Sequence, residues 1–288
     1  MAPGIDFDAV PGLTDPNAMP HAWKAGSQTT PLLKQQLNAM PSNGVAVLTH
    51  PQGALPLPPW ALRARLPAGR LVEEEQAHRQ AASAGRQPRL RHRERQLLAR
   101  PSSACMASVI EYRTSTEVLS ADAATMTLQT TTGAVSGNVI NLIPRQRCGP
   151  IVAATGLANA TEGRFAGVNV LNYESTVSPG VHIIGDSSAT TQPKAGHIAN
   201  QEAKVCADAI VRAFAGEQPD PAPVTSSACY STITMRQASW LEAVFQYDPV
   251  TRVMTPVANA TGASIGWSGD NFEQMNTWFN ALMADSFA

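Results

Sequence analysis

The sequence predicts an α/β fold for this 288-residue chain. Short apolar runs of β type alternate with segments of helical spacing, as in domains whose helices pack on a sheet. A continuous apolar run at residues 180–186 ends in Gly-Asp and is followed by a helix pattern at 195–215. The hydrophobic content of 43% is enough for the core of one large or two ordinary domains.

The first half of the chain supplies a helix, several strands and a turn. The helix carries leucines at helical spacing, and the first strand, GVAVL, is a short apolar run typical of a buried strand. The predicted elements are a helix at 30–40, strands at 44–48, 117–119, 125–129 and 137–144, and a turn at 122–124.

The run at 180–186 is the most informative part of the sequence. It predicts a central parallel strand buried on both faces, and open α/β sheets bind ligands at the carboxyl end of such strands. Asp186 is the best single site candidate, because it lies at that end of the predicted strand. An ordinary turn or N-cap aspartate is the alternative. The helix at 195–215 would end before Gly216, with its positive N-terminal end beside Lys194.

The end of the chain predicts a small α+β domain from about residue 224, closed by an amphipathic helix at 272–287. The other face of this helix carries Asp270, Glu273 and Asp285, whereas a membrane-surface helix is rich in basic residues. We therefore expect a core or interdomain helix, with an interface to a partner subunit as the alternative.

Composition and charge argue against several classes of partner. The formal net charge of -1 and the pI near 6.6 give no reason to expect nucleic acid or an anionic membrane. No apolar run reaches the length of about 18 residues that a membrane span needs, so we expect no integral membrane segment. The four cysteines match neither a CxxC pair nor a zinc knuckle, so we expect no metal site.

Five segments in order resemble the flavin-binding subunit of flavocytochrome c sulfide dehydrogenase. They are MPHAWKAG at 19–26, VINLIP at 139–144, GVHIIGDSSATTQPKAGHIANQEAKVCADAIVRAFAG at 180–216, ACYS at 228–231 and NTWFN at 276–280. The third of these resembles the second FAD motif of flavoproteins with two dinucleotide-binding domains. The resemblance covers roughly residues 1–50 and 107–288.

The resemblance implies a glutathione-reductase-like flavoprotein with two dinucleotide-binding domains and a smaller C-terminal α+β domain. Members of the family begin with a glycine-rich FAD loop and a cysteine that holds flavin covalently. We therefore expect the chain to be truncated at its start and to hold FAD weakly as written. The implied domains are the end of an FAD-binding domain at 1–40, an NAD-like second domain at 41–145, a return to the FAD-binding domain at 146–220 and a C-terminal domain at 221–288.

The implied activity is FAD-dependent oxidation of sulfide in the periplasm. In the family, sulfide attacks a cysteine disulfide beside FAD, and electrons then pass singly to a c-type cytochrome subunit. A sulfide:quinone or other pyridine nucleotide-disulfide oxidoreductase is the alternative among enzymes. A non-catalytic, non-functional fragment is the alternative from another class, and flavin absorbance of the purified chain would separate it from the others.

The resemblance assigns the chemistry to a short set of residues. Cys229 matches the second cysteine of the redox disulfide, with a small buried cysteine as the alternative. For Trp23, packing within the domain is a better explanation than a contact with flavin. For Lys194, the alternative to a contact with flavin is a solvated lysine in a loop. The expected cofactor-binding residues are Pro3, Gly4, Trp23, Pro144, Gly185, Asp186, Lys194, Ala195 and Gly196.

Residues 51–106 depart from the family pattern. They hold ten arginines and no lysine, and they lack Asp, Asn, Ile, Phe, Tyr and Thr, which is typical of a disordered linker or an RNA-binding arm. Codons compatible with residues 52–60, read one nucleotide later, encode KAPYRCPPG, which carries the first redox-cysteine motif of the family over residues 57–59. Residues 72–77 in the same offset give LKKNKP, which suits a helix end. We therefore expect 51–107 to be translated out of frame and poorly packed.

Overall fold

The computed structural model describes residues 4–13, 17–21, 29–41, 44–49, 80–84, 110–113 and 116–287. The chain divides into two compact units. The parallel-sheet unit comprises Ile5–Ala54 and Ala61–Arg145, and the C-terminal unit comprises Met1–Gly4, Leu55–Trp60 and Gln146–Ala288.

A four-stranded parallel sheet forms the centre of the parallel-sheet unit. Up to residue 141 the elements are β1 (Gly4–Asp6), a 3-10 helix (Phe7–Ala9), α1 (Thr29–Ala39), β2 (Val45–Thr49), β3 (Gln80–Ala84), β4 (Ile110–Arg113), β5 (Val118–Asp122), β6 (Thr127–Thr130), β7 (Gly133–Ser136) and β8 (Val139–Asn141). The sheet order is β4-β3-β2-β8, with every pairing parallel. The helix and the first strand predicted from the sequence are thereby confirmed.

Apolar side chains cover both faces of this sheet at β2 and β8. Val47 of β2 and Ile140 of β8 are fully buried in one cluster. Leu33 and Met40 pack with Val139 in a second cluster. Because neighbouring residues of a strand point to opposite faces, a strand covered on both sides is apolar throughout, as the sequence of β2 is.

The predicted β-ribbon is confirmed, with shifted boundaries. Strands β5, β6 and β7 form an antiparallel sheet in that order. The turn falls after residue 122 because Asp122 Oδ1 accepts the N–H groups of Ala124 at 2.9 Å and Thr125 at 3.2 Å. Met126 completes the turn with φ of 48°, so β6 begins only at Thr127.

Most of the arginine-rich segment lies outside the described residues. The exception is Gln80–Ala84, which forms β3 and pairs in parallel with β2 and β4. This ladder is made by backbone hydrogen bonds, which need no periodic apolar pattern, so the expectation that 51–106 is poorly packed stays a prediction. The reading frame of the segment stays a prediction.

The C-terminal unit combines short strands, a long helix and a three-stranded antiparallel sheet. From residue 145 the elements are β9 (Arg145–Arg147), α2 (Pro150–Ala154), β10 (Ala166–Asn169), β11 (Glu174–Ser175), a 3-10 helix (Gly185–Ser187), β12 (Ser188–Ala189), α3 (Gly196–Phe214), β13 (Val224–Thr234), β14 (Gln237–Asp248), β15 (Val253–Ala263) and α4 (Gly269–Phe287). Strand β10 pairs antiparallel with β11 and parallel with β12. The sheet β13-β14-β15 packs against α4. The predicted helix at 195–215 is confirmed as α3.

The central strand predicted at 180–186 is wrong. His182 makes one isolated antiparallel bridge to Glu174, and Ile183 donates its N–H to the carbonyl of Tyr173 at 2.9 Å. The backbone then turns at Gly185, with φ of 72°, into a 3-10 helix. A central strand is paired along each edge, whereas the described residues pair with only one edge of this run.

The C-terminal helix is attached less deeply than a core helix. The predicted apolar stripe of α4 is half-buried, but none of its residues is fully buried, and Phe279 and Phe287 are exposed. The expectation of a core helix is therefore wrong, because the helix covers one face of a three-stranded sheet and its remaining faces meet solvent. No helix in the described ranges is both long and apolar enough to cross a lipid bilayer.

Candidate functional site

The strongest candidate site is the loop that leads from Gly185 to the start of α3. The 3-10 helix and β12 turn the chain after residue 184, and α3 begins at Gly196. The predicted residues Gly185, Asp186, Lys194, Ala195 and Gly196 all lie on this short connection, within one unit of the fold.

Lys194 is held in a mostly buried position. Its Nζ donates to the carbonyl oxygen of Ser188 at 2.5 Å and lies 4.1 Å from the centre of the Phe165 ring, which is a cation–π contact. Burial lowers the pKa of Lys194 to about 8, while the negative charges of Asp186 and Glu202 oppose that shift. The alternative of a solvated loop lysine does not describe this side chain.

Asp186 offers an acceptor that the described residues leave unused. Its carboxylate makes no hydrogen bond with any described group and is only partly shielded from solvent. Burial raises the pKa of Asp186, and the nearby charge of Lys194 partly offsets this effect. The alternative of an N-cap aspartate is excluded, because Ala195 occupies the N-cap position of α3.

The first turn of α3 is open to an anionic group. Ala195 has an extended backbone and offers no capping side chain, and the turn contains no acidic residue. A Cβ added at the exposed Gly196 would meet no atom within 4 Å. Unpaired N–H groups and the helix dipole therefore give this end a positive potential, which Lys194 increases.

Cys229 lies on edge strand β13 of the C-terminal sheet. It is half-buried and shares one face of the strand with Thr225, Ser227 and Ser231, all of which are buried. Its Sγ lies 3.7 Å from Ser227 Oγ. A polar, partly accessible position differs from that of an inert core cysteine.

His197 joins α3 to the strand that carries Cys229. Its Nδ1 accepts the backbone N–H of Ala228 at 3.0 Å, so this nitrogen carries no proton. Burial lowers the pKa of His197 and so favours the neutral form. Tyr230 and His197 both contact the ring of Trp278, with ring centres 5.3 and 5.8 Å apart, respectively.

The remaining predicted residues are less informative. Gly4 lies so close to Cys148 that an added Cβ would be 2.9 Å from its carbonyl oxygen. Pro144 is buried between β8 and β9, whereas the sequence predicted that a strand would end there. Pro3 and Trp23 lie outside the described residues.

The other described cysteines are not arranged for catalysis. Cys148 and Cys206 are buried thiols, and burial raises the pKa of both. Within the ranges that the structure describes, no group of three His, Cys, Asp or Glu side chains could hold a metal ion.

Sequence reasoning missed Glu202, the most deeply buried acid near the loop. It is 1% exposed and lies on the buried face of α3 with Ile198, Cys206 and Ala209. The sequence contains a signal for this burial. Glu202 lies four residues from Ile198 and four from Cys206, so it falls on the apolar stripe of the helix. Phe214, the last residue of α3, is apolar but does not belong to this face, because it is 89% exposed.

Comparison with a protein-family model gives one match. Residues 221–287 match the model described as flavocytochrome c sulphide dehydrogenase, flavin-binding. This segment contains β13 with Cys229, the rest of the C-terminal sheet and α4. The resemblance inferred from the sequence is thereby confirmed over the C-terminal segment.

Several solved structures share the fold at low sequence identity. A chain of the Tetrahymena thermophila mitochondrial ATP synthase tetramer has a TM-score of 0.57 and 10% identity, covering 83% of this chain and 61% of that one. A NAD-dependent persulfide reductase from A. fulgidus has a TM-score of 0.55 and 11% identity, covering 98% and 56%. A ferredoxin reductase from Rhodopseudomonas palustris has a TM-score of 0.55 and 12% identity, covering 86% and 63%.

These likenesses support the predicted fold class. The chain is α/β and shares its architecture with oxidoreductases built from two dinucleotide-binding domains and a C-terminal domain. It spans less than two thirds of the length of the three structures.

Proposed function

We propose that this chain is the flavin-binding part of an FAD-dependent oxidoreductase that oxidises sulfide and passes electrons to a c-type cytochrome subunit. The observation that carries the proposal is the family match over residues 221–287, which contains the half-buried Cys229. The loop that leads from Gly185 to α3, and α3 itself, lie outside the matched residues and support the proposal independently.

The residues at the start of α3 suit an FAD molecule. The negative charge of reduced flavin is favoured by the uncapped first turn and by Lys194. Asp186 supplies the acceptor-only group that a ribityl hydroxyl needs. Gly196 leaves room for close approach.

Cys229 supplies the sulfur chemistry in this proposal. Hydrosulfide attacks one sulfur of a disulfide, the S–S bond breaks, and the other cysteine leaves as a thiolate. The second cysteine is expected in the restored reading frame of 51–107. When bound, FAD would supply a two-electron acceptor that can release electrons one at a time.

His197 and its neighbours position Cys229. The bond from the Ala228 N–H to His197 Nδ1 fixes β13 one residue before the cysteine, at the first turn of the helix that meets the cofactor. The cytochrome partner and a periplasmic location follow from the family alone and belong to the proposal.

The test uses protein expressed from the complete reading frame of the gene, after resequencing of codons 51–107. We expect copurified flavin, bleaching of its visible absorbance by sulfide under anaerobic conditions, and reoxidation by cytochrome c. Cys229→Ser should abolish bleaching by sulfide but leave bleaching by dithionite. Cys206→Ala is the matched control, since it removes a buried thiol elsewhere. Undiminished sulfide bleaching in the Cys229 variant, or protein without flavin, would overturn the proposal.

A further inference from the structure

Glu202 is a buried acid that the proposed sulfide chemistry does not use. It is 1% exposed and sits on α3 between Ile198 and Cys206. Moving a carboxyl group out of water is costly unless hydrogen bonds compensate. The position therefore needs a specific set of donors.

Three donors from the loop meet this carboxyl group. The N–H of Gly185 donates to Oε2 at 2.5 Å, and the hydroxyls of Ser188 and Thr190 lie 3.5 Å from Oε2 and Oε1. Glu202 thus contacts both ends of the six-residue segment 185–190, which contains Asp186. Gly185 has φ of 72°, a conformation that glycine adopts more readily than other residues, and in this conformation its N–H donates to Glu202.

The charges facing Glu202 come from three directions. Lys194, before α3, supplies a positive charge, and Asp186 of the 3-10 helix supplies a negative one. The third titratable group is the buried Tyr173, which precedes β11 and whose pKa is raised first by burial and then by the charge of Glu202. Burial raises the pKa of Glu202 to about 7, and the Gly185 N–H and Lys194 oppose the shift. The group therefore changes its charge near neutral pH.

We propose that Glu202 is a positioning residue for the cofactor loop: its carboxyl group holds residues 185–190 in the conformation that presents Asp186 to FAD. This inference rests on the proposed function for the identity of the ligand. The hydrogen bonds to the loop are independent of it.

Two substitutions separate the shape of the group from its charge. Glu202→Gln keeps an acceptor for the Gly185 N–H and removes the ionisable proton, whereas Glu202→Ala leaves that N–H buried without a partner. Glu273→Gln on the exposed face of α4 is the matched control.

The first readout is the melting temperature of the full chain without cofactor, measured against pH. A carboxyl group whose pKa rises from 4.5 in the unfolded chain to about 7 in the folded one binds more protons when folded. The stability that it contributes is complete below about 4.5 and is lost as the pH rises toward 7. We expect the Glu202→Gln variant to lose this decline and the Glu273→Gln variant to keep it. An unchanged decline in the Glu202→Gln variant would contradict the inference.

A second variant covers the case in which Glu202→Gln fails to fold. Lys194→Met removes the positive charge that lowers the pKa of Glu202, so the decline should extend to higher pH. A decline that ends at the same pH would count against the inference.

The second readout is FAD affinity, measured by quenching of flavin fluorescence. We expect Glu202→Ala to raise the Kd about tenfold or more, and Glu202→Gln to restore most of the affinity. Equal affinities for parent and Glu202→Ala would overturn the positioning role. Absence of FAD binding in the parent protein expressed from the complete reading frame would instead count against the proposed function, while the pH profile would still test Glu202.

Discussion

Two regions of this chain are held together in different ways. The parallel sheet is fixed by fully buried apolar residues such as Val47 and Ile140 on adjacent strands. The loop from 185 to 194 is fixed by buried polar groups, including Glu202 and the fully buried Gln192. Both regions begin from an apolar run in the sequence, yet only one became a strand.

The difference lies in what meets the edges of the run. Strand β2 has parallel partners on both sides, so its backbone groups are paired and its side chains cover both faces. The run at 180–186 is paired on one edge and turns at Gly185. The N–H groups of Gly180 and Gly185 donate to the side chains of Glu174 and Glu202 instead, which makes the region sensitive to polar substitutions and pH.

The largest effect should come from the apolar region. Ile140→Ala creates a cavity where no solvent enters, and we expect a loss of about 2–5 kcal/mol in the free energy of unfolding. Urea denaturation followed by circular dichroism measures it. Leu119→Ala, at a site that is 52% exposed, is the control. Equal costs at the two sites would remove the contrast between the regions.

The next effect should come from the polar chain through Gln192. Tyr173 donates its hydroxyl to Gln192 Oε1 at 3.2 Å, and Gln192 Nε2 donates to Thr225 Oγ1 at 2.6 Å. Gln192→Leu leaves both partners buried and unpaired, so we expect a cost of about 1–3 kcal/mol in unfolding free energy.

A double-mutant cycle sharpens this prediction. Tyr173→Phe removes one of the groups that Gln192→Leu leaves unpaired, so the double variant should cost less than the sum of the single ones. Additive costs in urea denaturation would show that the two side chains act independently.

Much of the fold was predictable from local patterns. The helix α1, strand β2, the ribbon and α3 follow from apolar spacing, and their side chains are buried as that spacing requires. The strand predicted at 180–186 failed because periodicity carries no information about partners at the edges. The prediction that α4 is a core helix failed for a similar reason, since an apolar stripe does not specify how much of the helix other elements cover.

The site was only partly predictable. Gly185, Asp186 and Lys194 were predicted because a motif places them before a helix, and their role at a cofactor stays a prediction. Glu202 and Gln192 were missed because their partners, Gly185 and Thr225, lie 17 and 33 residues away in sequence. The spacing of Glu202 on the apolar stripe indicates that it is buried, but the partners of both side chains depend on the tertiary structure, and no local pattern indicates them.

A smaller effect should come from the single bond at His197. Its Nδ1 must be unprotonated to accept the Ala228 N–H, and burial lowers its pKa below the usual 6.5. The stability that this bond contributes, about 0.5–1.5 kcal/mol, is present above that value and is lost as the pH falls through the lower folded pKa.

His197→Asn tests this bond because the amide oxygen can replace the ring nitrogen as acceptor without a charge. We expect the melting temperature of the parent to fall relative to the variant below about pH 6.5. The comparison is made as a difference, because Glu202 contributes the opposite trend in part of the same range. Parallel profiles for the two proteins would exclude a role for His197 protonation.

The smallest effect should come from the polar contact between α3 and α4. Lys204 Nζ lies 2.9 Å from Asp285 Oδ2, which also accepts from Asn200 Nδ2 at 2.8 Å. Both charged side chains are about half exposed, so water and salt compete with the pair. We expect Lys204→Met to lower the melting temperature by about 2 °C or less, and this difference to vanish near 1 M salt, where charges are screened within about 3 Å. The exposed pair of Arg212 and Asp208 on α3 alone, at 2.7 Å, is the matched control, tested as Arg212→Met. A larger shift for Lys204→Met than for the control, persisting in high salt, would show that this contact holds α4 in place and that polar groups fix the C-terminal helix as they fix the loop.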